Sequence, residues 1–255
     1  MAAFKDHFSA LAETYAASRP IYPDALYGLI TQVVPASANV WEPGCGSGQA
    51  TRGLAQRFRH VFATDPSAAQ IERHWARGAR ANNVTVAVEL AEAPSLPDAS
   101  VDLVAVAQAL HWFDRPRFFA ACERVLKPGG VLAAWTYQDI VFSDDLADVA
   151  EAVRDDIDPY WPPERNDVDV GYTGYDWPFE RLSTPSDLWM TADWTLPQLL
   201  GYFSSLSASA CFLAATGRDP IELHGATLAV AWGDPGQVRR MRWPVVLHLR
   251  RKPAA

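Results

Sequence analysis

The segment Val40-Trp41-Glu42-Pro43-Gly44-Cys45-Gly46-Ser47-Gly48 packs an apolar run, an acidic residue and three alternate glycines into nine positions. A strand that runs into such glycines must turn tightly. Glycine accepts φ > 0 without steric cost and lets the backbone approach a ligand closely. A second apolar run, His60-Val61-Phe62-Ala63-Thr64, ends in Asp65. In nucleotide-binding α/β folds a carboxylate after the second strand is placed to bind ribose hydroxyls. The two features together imply an adenosine-containing ligand.

The glycine spacing narrows the choice. A dinucleotide loop requires G-x-G-x-x-G/A, the third small residue allowing tight helix–strand packing. Counting from Gly46 puts Thr51 at that position, and counting from Gly44 puts Gln49 there. Both fail, which weighs against a nicotinamide oxidoreductase. Glu42, two residues before the first glycine, suits a ligand with a positive group better than a pyrophosphate. A cofactor carrying an ammonium and a sulfonium fits.

Strand and helix signals alternate along the first half. The spacing predicts helices over 4–18 and from Asp24, as cap, to 34. Strand one spans 38–42, a helix 49–58, strand two 60–64, and a helix runs from Pro66 to 78. Strand three is 84–88, and the near-continuous apolar run 101–107 reads as a buried parallel strand. A helix follows over 115–126, with Asp114 as cap and Pro116 in its first turn. Lys127-Pro128-Gly129-Gly130 reads as a stop and turn before strand five, 131–137. Five alternations argue for a parallel sheet with helices on both faces. Beyond Gln138 the pattern predicts an acidic helix over 143–158, loop over 159–186, strand 187–194, helices 196–206 and 220–231, and a final strand 239–249.

Composition excludes some classes. Hydrophobic content of 49% and a formal charge of −8 in 255 residues describe a globular chain without the basic footprint of a nucleic-acid binder. The basic run Arg239 to Lys252 reads as a solvated terminal strand. Cys45, Cys122 and Cys211 are far apart and show no metal spacing, so a reducing compartment without disulfides and no metal are expected. No stretch approaches the roughly 20 apolar residues of a membrane span. The expectation is a cytoplasmic chain with neither membrane nor nucleic-acid partner.

Five ordered blocks over 40–137 resemble the class I S-adenosylmethionine-dependent methyltransferases. They are Glu42-x-Gly44-x-Gly46-x-Gly48; Asp65; Ala91-Glu92-Ala93 with Leu96 to Asp102; Ala109-Leu110-His111-Trp112-Phe113; and Arg124 to Gly130. The chain ends, with Phe8, Tyr15, Arg19-Pro20, Tyr22-Pro23, Trp232-Gly233 and Trp243-Pro244, are similar to the small-molecule branch that includes trans-aconitate methyltransferase. The resemblance implies an α/β Rossmann-like sheet, with five parallel strands and then a C-terminal antiparallel pair, under a helical, aromatic cap. It implies a single domain over 1–255, with cap helices in 1–36, the cofactor core in 37–137, a cap in 138–194 and completion of the sheet in 195–255.

The resemblance also assigns roles. Backbone around Gly44, Cys45, Gly46 and Gly48 would meet the methionine part of S-adenosylmethionine, with Glu42 nearby. Asp65, followed by Pro66, would hold the ribose diol, and Ala91 and Glu92 would lie by the adenine. Many relatives carry an acid where this chain has Leu90. Gln108 would face the junction of cofactor and substrate, and Tyr15 and Arg19 would close over the methionine end. S-adenosylhomocysteine would be the product.

Methyl transfer from a sulfonium is an in-line displacement, so the protein mainly binds and orients. His111 and Tyr137 are the candidates for a catalytic group; His111 also reads as a structural loop residue. Tyr22, His111, Trp112, Trp135 and Tyr137 are expected to line the acceptor site, at the carboxyl ends of the strands. Eight aromatic residues within 160–194, about twice the density of the whole chain, read equally as a substrate pocket or as the core of a small cap. The expected activity is methylation of a small organic molecule at a carboxylate or hydroxyl. The alternatives are a cofactor-binding regulator without catalysis and a nucleic-acid methyltransferase.

Overall fold

A computed structural model describes residues 20–76 and 81–254. The predicted helix over 4–18, with Tyr15 and Arg19, lies outside them, as do 77–80. The described chain divides into two compact units. One comprises Tyr22–Gln138, Asn166–Leu188 and the chain from Val245 onward; the other comprises Asp139–Arg165 and Trp189–Pro244.

The first unit is built on a sheet. Its strands are β1 (Asn39–Pro43), β2 (His60–Asp65), β3 (Val84–Val88), β4 (Val101–Ala107), β5 (Leu126–Tyr137), β6 (Glu180–Leu182) and the second half of β8 (Arg239–Arg251). Their spatial order is β3-β2-β1-β4-β5-β8-β6. Strands β1 to β5 are parallel, as the alternation predicts, and β8 runs antiparallel between β5 and β6. The expected C-terminal pair is β7 (Trp189–Trp194) with the first half of β8, in the other unit, and it gains an unexpected third member in β6.

Helices cover both faces. On one, Phe118, Cys122 and Val125 of the helix α4 (Arg115–Val125) pack on Trp41, Val104 and Leu132. Helix α1 (Asp24–Thr31) buries Leu26, Tyr27 and Ile30, and the Tyr27 ring meets Trp135 edge-on at 6.5 Å. Between these strands and helices come α2 (Thr51–Ala55) and α3 (Ala68–Ala76).

This order fixes where a site can form. From β1 the chain winds outward to β2 and β3, then returns to place β4 on the other side of β1. Neighbouring strands that lead in opposite directions leave a crevice at their carboxyl ends, where ligands of open α/β sheets bind. Asp102 secures the opposite end of this strand pair. Its Oδ2 accepts the backbone N–H of Asn39 at 2.8 Å and its Oδ1 accepts Nζ of Lys127 at 2.7 Å.

Several local expectations are corrected. Asp24 is the first helical residue of α1 rather than its cap, and Pro23 holds the cap position with an extended backbone. The helix after the glycines shortens to Thr51–Ala55. Lys127 to Gly130 does not end the ladder. Leu126 pairs with Val101 and Val131 with Leu103, so the turn-like residues form a bulge inside β5, with Gly129 at φ +76°. The supposed loop 159–186 contains the helix α6 (Arg165–Asp169) and β6.

The second unit joins α5 (Asp144–Ile157), α7 (Leu196–Ser204), α8 (Ser207–Thr216) and α9 (Pro220–Trp232) to the β7–β8 ribbon. Helix α8 was not anticipated. Its small, weakly patterned residues give no periodic stripe. His224 on α9 meets Asp156 on α5 at 2.7 Å, and Trp243 Nε1 donates to the Tyr202 hydroxyl at 3.2 Å. No single helix among the described residues is long and apolar enough to cross a membrane.

Replacing Asp102 with alanine removes acceptors for two donors that join β1, β4 and β5. Urea denaturation is expected to show a loss of about 1–3 kcal/mol. A change below about 0.5 kcal/mol would contradict the stapling role.

Candidate functional site

The glycine loop leaves β1 with φ of +67° at Gly44, +53° at Gly46 and +83° at Gly48. Two of these glycines are also sterically required. A β-carbon on Gly44 would stand 2.8 Å from that of Ala109, and one on Gly48 2.7 Å from the His74 ring. Gly46 differs, because a β-carbon there would meet nothing within 4 Å. Among the described residues, the loop is therefore packed from beneath and open above its middle.

Asp65 fixes that shape. At the end of β2, its Oδ2 accepts the N–H of Gly46 and its Oδ1 that of Ser67, both at 2.9 Å. Pro66, between them, is half-buried. The N–H of Cys45 donates to Thr64 O at 3.0 Å. Cys45 itself is buried, and burial pushes its thiol well above the ordinary range, so it is not a thiolate nucleophile.

Glu42 is the most unusual group in the loop. It is 1% exposed, and among the described residues neither carboxylate oxygen has a hydrogen-bond partner. Burial pushes its pKa up to about 8; the nearby Thr51 hydroxyl opposes the shift and Asp65 adds to it. Thr51 is itself bonded to Nε2 of the buried His74 at 2.9 Å. His74 was not singled out from sequence, since a histidine six residues into a helix carries no local sign that it packs under Gly48.

The end of β4 supplies the facing wall. Gln108 has φ +53°, and its side chain turns to β5. Its Oε1 accepts the N–H of Tyr137 at 2.7 Å and the Thr136 hydroxyl at 2.8 Å, and its Nε2 donates to Tyr137 O at 3.3 Å. The 3₁₀ turn Leu110–Trp112 then places His111 Nδ1 2.9 Å from the Tyr172 hydroxyl, with the Trp112 ring 4.8 Å from the imidazole. Tyr172 is a partner that sequence reading did not identify.

The remaining candidates fall into separate places. Ala91 is buried in the core cluster that contains Trp41 and Phe118. Glu92 Oε1 accepts the N–H of Asp114 at 2.8 Å, bracing the entry to α4. Val88, which pairs with Asp65, and Leu90, two residues beyond it, are exposed. Tyr22, Trp135 and Tyr137 come together, Tyr22 lying 5.7 Å from Trp135 and 6.3 Å from Tyr137. All three are buried, Trp135 completely. The eight aromatics of 160–194 do not form one group. Tyr172, Tyr175, Trp177 and Phe179 belong to the first unit's core, while Tyr160, Trp161, Trp189 and Trp194 belong to the other unit.

A family model for the methyltransferase domain matches residues 41–134. Over 258 residues the chain is 33% identical to a Dictyostelium discoideum protein named as a methyltransferase, covering 98% of this chain and 96% of that one. A Mycobacterium tuberculosis protein named as an uncharacterized methyltransferase is 32% identical over 179 residues, covering 66% and 70%. A solved structure described as a type II methyltransferase from Anaeromyxobacter dehalogenans matches with a TM-score of 0.84 at 39% identity, covering 93% of this chain and 99% of that chain. The chain belongs to the class I S-adenosylmethionine-dependent methyltransferases and is an enzyme of that family.

Glu42 makes stability depend on pH with a definite sign. Its folded pKa, about 8, lies above the ordinary 4.5. Its contribution is full below about pH 4.5 and is lost as pH rises through about 8, at most about 5 kcal/mol in all. Chemical denaturation of the ligand-free protein at about pH 5 and pH 8.5 should show this loss, and Glu42→Gln should reduce it. Equal losses in both proteins would contradict it.

Proposed function

We propose that this chain transfers a methyl group from S-adenosylmethionine to a small organic acceptor, at a carboxylate or hydroxyl, and releases S-adenosylhomocysteine. The observation that carries the cofactor reading is Glu42, a sealed carboxylate without a hydrogen-bond partner among the described residues, beside a loop that those residues leave open above Gly46. A ligand that brings an ammonium and a sulfonium supplies the countercharge which such a group lacks.

The residues fit that ligand. The backbone of Gly44, Cys45, Gly46 and Gly48 would bear on its methionine part, near Glu42, with Tyr15 and Arg19 from the preceding segment. Asp65 is held by two N–H groups at the mouth of the loop, where its carboxylate would accept from the ribose diol. Val88 and Leu90 offer exposed apolar surface for the adenine, with the buried Ala91 behind them. Glu92 acts there by bracing Asp114 rather than by contact alone.

When bound, S-adenosylmethionine supplies the methyl group and a thioether leaving group. The chain's own part is to orient the acceptor in line and keep water out. Such positioning accounts for roughly 7–11 kcal/mol of barrier in favourable cases. His111 and Tyr137, at the ends of β4 and β5, are the groups we assign to acceptor positioning, with Tyr22 and Trp112 beside them. A formal charge of −8 favours a small acceptor over a polyanion such as RNA or DNA.

S-adenosylmethionine and S-adenosylhomocysteine should each raise the melting temperature. Asp65→Ala should weaken both by about 100-fold or more, since two charge-assisted hydrogen bonds to the ribose are lost. A screen of small carboxylates and alcohols with labelled methyl donor then identifies the acceptor. Absence of stabilisation by either compound would overturn the cofactor reading, and methyl incorporation into RNA or DNA alone would overturn the small-molecule reading.

A further inference from the structure

Tyr172 is fully buried with φ +59°, directly after Gly171 at +61°. A bulky residue in the left-handed region is an outlier that persists only when its surroundings over-determine it. Here they do. The N–H of Tyr172 donates to Asp167 O at 2.8 Å and that of Gly171 to Val168 O at 2.9 Å. His248 Nε2 lies 2.8 Å from Gly171 O. Arg115 pairs with Asp167 at 3.0 Å and sits 4.2 Å over the Tyr175 ring, which stacks on Tyr172 at 5.4 Å. A β-carbon on Gly171 would come within 2.8 Å of Val246, so the loop is pressed against β8.

These constraints aim one polar group, the phenol hydroxyl, at Nδ1 of His111, 2.9 Å away. A buried phenol has a single proton and needs an acceptor for it. The neighbouring Thr136 hydroxyl donates to Gln108 Oε1, whose identity is fixed because the same atom accepts the N–H of Tyr137. That bond leaves the Thr136 oxygen able to accept, but among the described residues Nδ1 of His111 is the acceptor that stands at hydrogen-bonding distance from the phenol.

We propose that Tyr172 is a positioning residue that donates its hydroxyl proton to Nδ1 of His111 and holds the ring in the neutral tautomer protonated at Nε2. His111 is then a hydrogen-bond donor and not a general base. The consequence for chemistry rests on the methyl-transfer reading. The Nε2–H orients an acceptor oxygen. A lone pair of that oxygen forms the new O–C bond while the C–S bond breaks and its electron pair goes to sulfur, and no proton passes through the ring. An acceptor that must lose a proton has to lose it to another group.

The test uses full-length protein labelled with ¹⁵N-histidine at about pH 7.5, with two-bond ¹H–¹⁵N correlations reporting which ring nitrogen is protonated. The chain has six histidines, and the His111 signals are those lost in His111→Gln. The wild-type spectrum should show His111 protonated at Nε2 and bare at Nδ1, a result that needs no folded variant. Tyr172→Phe, which keeps the ring and removes the hydroxyl, should shift the pattern toward mixed tautomers. Protonation at Nδ1 in the wild type, as expected if Tyr172 donates to Thr136 instead, would overturn the proposal, and so would an unchanged tautomer in Tyr172→Phe. Melting curves with S-adenosylmethionine on the same samples separate the two readings. Lost stabilisation sinks the methyl-transfer reading alone, whereas a wrong tautomer sinks this one alone.

Discussion

Glu42 is the constraint around which the first unit is arranged. A carboxylate held dry at the end of a central strand, with no donor bonded to either oxygen among the described residues, is costly in the ligand-free protein. The fold meets that cost by protonation, which is what a pKa near 8 signifies. Its surroundings make sense as a receptacle for positive charge. Gly44 lets the loop settle onto Ala109, Asp65 pins the N–H of Gly46, and the space above Gly46 stays open. A cationic ligand entering there would trade a neutral acid for an ion pair.

The second organising element is the end of β4. Gln108 and Tyr172 are non-glycine residues with positive φ, a conformation that costs on the order of 1–3 kcal/mol each. Each is held by hydrogen bonds. Gln108 grips Thr136 and Tyr137 at the end of β5, and Tyr172 is gripped by the loop from α6 and by His248. The third such residue among those described, Ala99 at φ +47°, lies just before β4, at its opposite end. Rigid β1, β4 and β5 supply the frame, and the turns that follow them supply the chemistry.

Much of this frame was legible in the chain. Apolar runs such as Val101 to Ala107 announce buried parallel strands because both of their faces are covered. The glycines, Glu42 and Asp65 announce a ligand loop because their requirements are local. Where requirements are not local, sequence reading fell short. Gly129 looks like a turn and does take a turn's φ, but pairing of Leu126 with Val101 carries the strand through it. Helix α8 has no stripe to read. The partnership of His111 with Tyr172 spans 61 positions and depends on a strained loop, which no spacing rule signals. Aromatic density in 160–194 was read as one feature, yet its members serve different units, because composition counts residues without assigning them to a face.

The most direct test of the central claim is calorimetry of S-adenosylhomocysteine binding at about pH 7 in two buffers of different ionisation enthalpy. If Glu42 is protonated when free and ionises against the ligand's ammonium, binding releases close to one proton, and the observed heat differs between buffers accordingly. Glu42→Gln should bind more weakly and lose the buffer dependence. Tight binding with the same heat in both buffers would contradict the account.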